Sequence, residues 1–207
     1  MGDVAEAFHS FGVDRRLVDA SGHEVEALTP LLARAEAVEL RPALRGALDG
    51  RPAVVGHVSY GGGHAVGAES DATFEFIVVI TRVPESAAFV PRLFCRSRGR
   101  VESVGGMGMS LDAEGLWTES DALGRRYEVA TSPYQDRNWM LQLFSPDFID
   151  WLVTTPPAGF AFELAYGDLV GSIPAAGVGA DELAAVWDAA GEVAARLRKE
   201  CGEEAVG

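Results

Sequence analysis

Four arginines are the residues of this chain best placed to do chemistry. Arg92, Arg96, Arg98 and Arg100 occupy even positions of a segment, 91–100, that reads as a β-strand. Alternate residues of a strand project from one face, so the last three would stand about 7 Å apart in a single row. A row of guanidinium groups suits bidentate recognition of carboxylate or phosphate. The competing reading is a solvated strand face whose charges are met by cross-strand acids such as Glu102, Glu114 and Glu119. Exposed pairs of that kind are common and contribute little. We take the four arginines as candidate ligand-binding residues.

The other reactive groups read as structural. Gly61-Gly62-Gly63-His64 follows a strand, as a phosphate-cradling loop would, but AVGAESDATFEF leads into another strand. A phosphate loop needs a helix N-terminus just after its glycines. A flexible hairpin loop fits better, and the same test removes Gly105-Gly106-Met107-Gly108. His57 and His64, with Glu69 and Asp71, would have to converge on one point to hold a metal. Their spacing puts the two histidines on opposite sides of a regular strand, and His9 and His23 add little. Cys95 beside Arg96 reads as a small buried hydrophobe rather than a thiolate nucleophile, and no G-x-S-x-G elbow occurs. Asp147 and Asp150 fall in the first turn of a helix, where acids are favourable on electrostatic grounds alone; Asp136 with Glu128 is the other carboxylate pair. Trp139, Phe144, Phe148, Trp151, Phe160 and Phe162 could line an apolar pocket, but a core of helices on a hairpin needs such residues anyway. No catalytic residue, metal ligand or cofactor is assigned.

Composition narrows the field. The 207 residues, 48% hydrophobic and 23% charged, suffice for one sizeable core or two small ones. The net charge of −14 argues against a nucleic-acid binder, whose affinity comes largely from neutralising phosphates. A single lysine, Lys199, against sixteen arginines reflects a GC-rich genome. Apolar runs such as FIVVI at 76–80 are strand-length, far from the ~20 residues of a membrane span. The first residues carry early acids, so they do not read as a secretory signal, and Glu6 stands where myristoylation expects Ser or Thr. Cys95 and Cys201 define neither a disulfide framework nor a zinc site. These readings predict a cytoplasmic, soluble protein without direct membrane insertion.

The elements that must position the arginines follow from local signals. One helix, or a turn followed by a helix, is predicted over 24–37, then antiparallel strands at 38–48 and 52–60 around Asp49-Gly50, with Pro42 marking an edge or bulge. A glycine-rich loop, 61–72, leads to TFEFIVVITRV at 73–83, a strand apolar enough to be buried on both faces. Residues 101–124 give no clear element. YEVAT at 127–131 is a strand, and Ser132-Pro133 opens a helix running to about Phe144. Ser145-Pro146-Asp147 opens a second short helix. FAFELA and DLVGSI flank Tyr166-Gly167 as a hairpin. Asp181 caps a closing helix, 182–199, whose apolar residues recur at helical spacing and whose last turn holds Arg196, Arg198 and Lys199.

Gly50-Arg51-Pro52 leading into VVGH, the strand FIVVITRVP, the run LFSPDFIDWL and the hairpin-plus-helix ending resemble a group of uncharacterised actinobacterial domain-of-unknown-function proteins. The resemblance covers residues 45–199 and implies a compact α+β fold; it implies no activity and no site residues. In such proteins the domain often follows membrane helices.

The expectation is therefore an α+β protein: a mostly antiparallel sheet with short helices and a C-terminal helix packed on it. A single domain spans 25–200, between a poorly patterned segment, 1–24, and an acidic tail, 201–207. Its function is expected to be non-enzymatic protein interaction or adaptor work. The alternative is a domain binding a small anionic or apolar metabolite. The partner is then a protein or a small anion, with no nucleic acid and no oligomeric state implied.

Overall fold

The computed structural model describes residues 4–25, 38–61, 73–90, 92–98, 114–115, 120–132 and 136–204. Among these, nine strands form one sheet in which every pairing is antiparallel. In chain order they are β1 (Val18–Asp19), β4 (Ala43–Leu48), β5 (Arg51–Gly61), β6 (Thr73–Arg82), β7 (Arg92–Ser97), β8 (Glu114–Gly115), β9 (Tyr127–Thr131), β10 (Ala161–Ala165) and β11 (Asp168–Pro174). Across the sheet the order is β1-β4-β5-β6-β11-β10-β7-β9-β8. A separate two-stranded ribbon pairs β2 (His23–Val25) with β3 (Val38–Leu40).

The two tight hairpins form where the sequence places residues able to take positive φ. Asp49 and Gly50 have φ of 49° and 75°, and Tyr166 and Gly167 have φ of 52° and 89°. Two consecutive left-handed residues match the twist of the strands that they join. The hairpin β10–β11 then inserts between β6 and β7, which are neighbours in sequence and not in space.

Five α-helices are described: α1 (Val4–Arg15), α2 (Asp121–Arg126), α3 (Arg137–Leu143), α4 (Pro146–Thr154) and α5 (Ala180–Glu204). Side chains alternate across a strand, and one face of the sheet packs on these helices. That face supplies Val55, Ile77, Val79, Leu93, Cys95, Phe162, Leu164, Leu169 and Ile173 to the main core. The α5 residues Leu183, Val186, Trp187, Ala190, Val193, Ala194 and Leu197 are all buried in the same cluster. Gly171 lets α5 sit close: a Cβ there would lie 2.9 Å from the Cβ of Ala190. The opposite face has a small apolar cluster of its own, in which Leu40 of β3 covers Ala43, Val58, Phe76, Val78 and Val170. Burial of 76–79 on both sides matches the unbroken apolar run.

Several local expectations need correction. Helix α3 begins at Arg137, capped by the Asp136 carboxylate, which accepts from the Asn138 and Trp139 N–H groups; Ser132 is not its cap. Helix α5 begins at Ala180. Glu182 reaches back to the Gly179 N–H at 2.9 Å, and Asp181 lies inside the first turn. The helix runs on to Glu204 and buries Cys201, so Arg196 and Arg198 stand before its last turn. They act as ties: Arg196 reaches Glu200 (3.0 Å) and the Ser145 hydroxyl (2.7 Å), and Arg198 pairs with Asp49. Within 1–24, α1 docks Phe8 and Phe11 into the core, Phe11 edge-on to Trp187, and Arg15 pairs with Asp188 at 2.8 Å. Within 101–124, Ser120 caps α2 through its hydroxyl (3.2 Å from the Leu123 nitrogen). The helix expected over 24–37 falls, from residue 26 on, outside the described residues, as does 62–72 of the glycine-rich loop.

Candidate functional site

The arginine candidates lie on the sheet face turned away from the helices. Strand β7 ends at Ser97, so of the four only Arg92 and Arg96 belong to it, on the same face with Phe94 between them. Arg98 follows the strand. Its backbone N–H extends the ladder to the Arg126 carbonyl (2.7 Å), and its Nε donates to the Tyr127 carbonyl (3.0 Å). Arg100 lies outside the described residues.

Arg92 is exposed and holds its guanidinium over the Tyr166 ring, 5.4 Å from the centroid, at the turn of the β10–β11 hairpin. Beside it Arg82 pairs with Asp168 at 2.9 Å. Arg96 is different in kind. It is 4% exposed, and its Nη2 donates to a Glu163 carboxylate oxygen at 3.2 Å; Glu163 is also 4% exposed. Register explains the meeting: Glu163 of β10 is opposite Phe94 of β7, diagonal to Arg96. On the other flank Glu128 of β9 is directly opposite Arg96. The Phe94 ring carries the guanidinium, with Cζ 5.1 Å from the centroid. Among the described residues, neither Nε nor Nη1 of Arg96 has a hydrogen-bond partner. Buried polar groups are nearly always bonded, so donors left bare in this way call for an explanation.

Glu163, Tyr166 and Phe94 escape sequence reasoning as site residues. One signal was present: Glu163 is a lone acid in the apolar strand FAFELA, on the face opposite Phe162 and Leu164.

The remaining candidates have structural places. His57 sets Nδ1 3.1 Å from the Arg41 carbonyl oxygen, with Nε2 4.0 Å from Glu75; His64, Glu69 and Asp71 lie outside the described residues. Among the described residues no three metal-ligating side chains converge. Cys95 and Cys201 are buried and not joined in a disulfide, and burial pushes the Cys95 thiol far up. Asp147 and Asp150 are exposed on α4. The aromatic candidates pack on one another, Phe148 against Trp151 at 5.5 Å and against Phe144 at 5.8 Å, inside or against the core.

Among the described residues no helix is long and apolar enough to cross a membrane. No protein-family model matches the chain, and no curated protein matches it in sequence. In structure the chain is similar to the mycobacterial trehalose monomycolate transport factor A, TtfA. The crystal structure of that protein matches with a TM-score of 0.59 over 97% of this chain and 95% of the other, at 12% identity. The likeness is one of fold: an α+β protein with a mainly antiparallel sheet and a long C-terminal helix, shared with an actinobacterial protein.

Proposed function

We propose that this protein is a non-enzymatic cytoplasmic binding domain, an interaction or adaptor module whose contact surface is the sheet face opposite the helices. The observation that carries the reading is the contrast between the two faces. The helix-covered face is filled by apolar side chains, whereas the other sets a buried guanidinium with bare donors behind an exposed Arg92–Tyr166 rim. Arginine and tyrosine are, with tryptophan, the residues enriched among those that dominate binding energies at interfaces. Groups that would serve catalysis are committed elsewhere: Cys95 is held as a thiol and Asp136 caps a helix. Two cysteines outside any disulfide fit a reducing compartment. The same fold occurs in a protein named a transport factor, which is compatible with a binding role.

The test is affinity enrichment from the native host with position-matched charge reversals. Arg92→Glu and Arg125→Glu change the net charge equally, one on the proposed face and one on α2, and both residues are exposed. With folding verified by circular dichroism, Arg92→Glu should lose a partner that wild type and Arg125→Glu retain. Identical profiles for all three would refute the reading.

A further inference from the structure

We propose that Arg96 receives a carboxylate, with Glu163 as the residue that orients its guanidinium; this deepens the binding reading by naming the ligand chemistry. An arginine carries five N–H donors. The contact to Glu163 engages one nitrogen, Nη2, while Nε and Nη1 stand without partners among the described residues. The residue is 4% exposed, so bulk water is a poor substitute for a partner. The parallel N–H pairs of a guanidinium are Nε with Nη2 and Nη1 with Nη2, so a carboxylate would bridge one bare nitrogen and the second N–H of Nη2. The ring of Phe94 and the fixed register of β10 against β7 hold the group in place, so it is pre-organised for an acceptor.

Burial selects the class of acceptor. Arg96 is 4% exposed and has Glu163 already beside it, so the site takes a planar group of single charge, a carboxylate, more readily than a phosphate monoester, which would bring up to two charges into the same buried place. The same carboxylate could arrive on a free organic acid or on an acidic side chain of a partner. Either must open the shielding that buries the guanidinium, so a small probe is tried first.

The experiment is side-chain NMR on the full, 15N-labelled chain, following the arginine Nε–H signals during titration with sodium acetate at constant ionic strength. Acetamide, near in shape but uncharged, and sodium chloride are the controls. The Arg96 signal is identified by its loss in Arg96→Lys. Should that variant not fold, its response to Glu163→Gln identifies it. The proposal expects a saturable shift with acetate alone, and an affinity about tenfold higher in Glu163→Gln, which removes an adjacent negative charge. A tighter fit for hexanoate would assign the site to free acids, and a tighter fit for a triglutamate peptide to a protein partner. An Arg96 signal that stays fixed, or that chloride or acetamide moves as far, overturns the proposal. Failure here leaves the partner test on Arg92 standing, so the two readings fail separately.

Discussion

Breaking the buried ion pair from one side should destabilise this protein more than any loss of a surface charge. At 3.2 Å, with both side chains 5% exposed, the gross attraction of Arg96 and Glu163 is about 5 kcal/mol at an effective dielectric of 20. Desolvation of the two ions consumes most of it, so the intact pair stabilises the fold very little in net terms. Glu163→Ala changes the comparison, because Arg96 keeps its burial cost and loses its compensation. The expected loss is about 3–5 kcal/mol, a fall in Tm of roughly 6–20 °C for a chain of this size. The double variant Arg96→Met, Glu163→Leu removes both charges and keeps the volume, so it should return to within about 1 kcal/mol of wild type or exceed it. Urea and thermal denaturation of the wild type, Glu163→Ala and the double variant supply the comparison. A loss below about 1 kcal/mol in Glu163→Ala, typical of exposed pairs, would refute the reasoning. So would a double variant no more stable than the single one.

Three further outcomes follow from the packing. Gly171→Val places a branched side chain where even a Cβ would stand 2.9 Å from the Cβ of Ala190; overpacking should cost about 1–3 kcal/mol, read by urea denaturation. Burial pushes Tyr127 up to about 12, with the Cys95 thiol adding to the rise and Arg126 opposing it. The folded protein therefore holds that proton above about pH 10, where the unfolded chain releases it, and stability should fall as pH rises through this window. Tyr127→Phe should flatten the fall of Tm between pH 10 and 11, and an unchanged slope would count against the assignment. Both thiols should resist Ellman's reagent at pH 8 in the folded protein and react in urea, since Cys95 and Cys201 are 0% and 3% exposed.

What was legible in the sequence is what local signals encode. The hairpin at Tyr166-Gly167 and the turn at Asp49-Gly50 announce themselves by residues that tolerate positive φ. The buried stripe of α5 announces itself by its period. Cap identity failed where two cap-competent residues compete: Ser132 and Asp136 both precede the α3 pattern, and Asp136 wins. In α1, Val4, Phe8 and Phe11 have helical spacing, yet three residues are too sparse a stripe to read before Trp187 is known to receive it. The centre of the site was illegible for a topological reason. Arg96 meets Glu163 because β10 inserts beside β7, a pairing across 67 positions of sequence that no local pattern records. Even spacing along 92–100 could show which side chains share a face, but not that one would be buried against an acid of another strand.

The most direct test of the account is hydrogen–deuterium exchange on the full chain, alone and with the partner whose capture Arg92→Glu abolishes. If the sheet face opposite the helices is the contact surface, added protection will fall on peptides covering 92–98 and 161–174, and α1 and α3 will exchange as before. Protection concentrated on the helical layer, around Val13 or Leu141, which are exposed there, would contradict it.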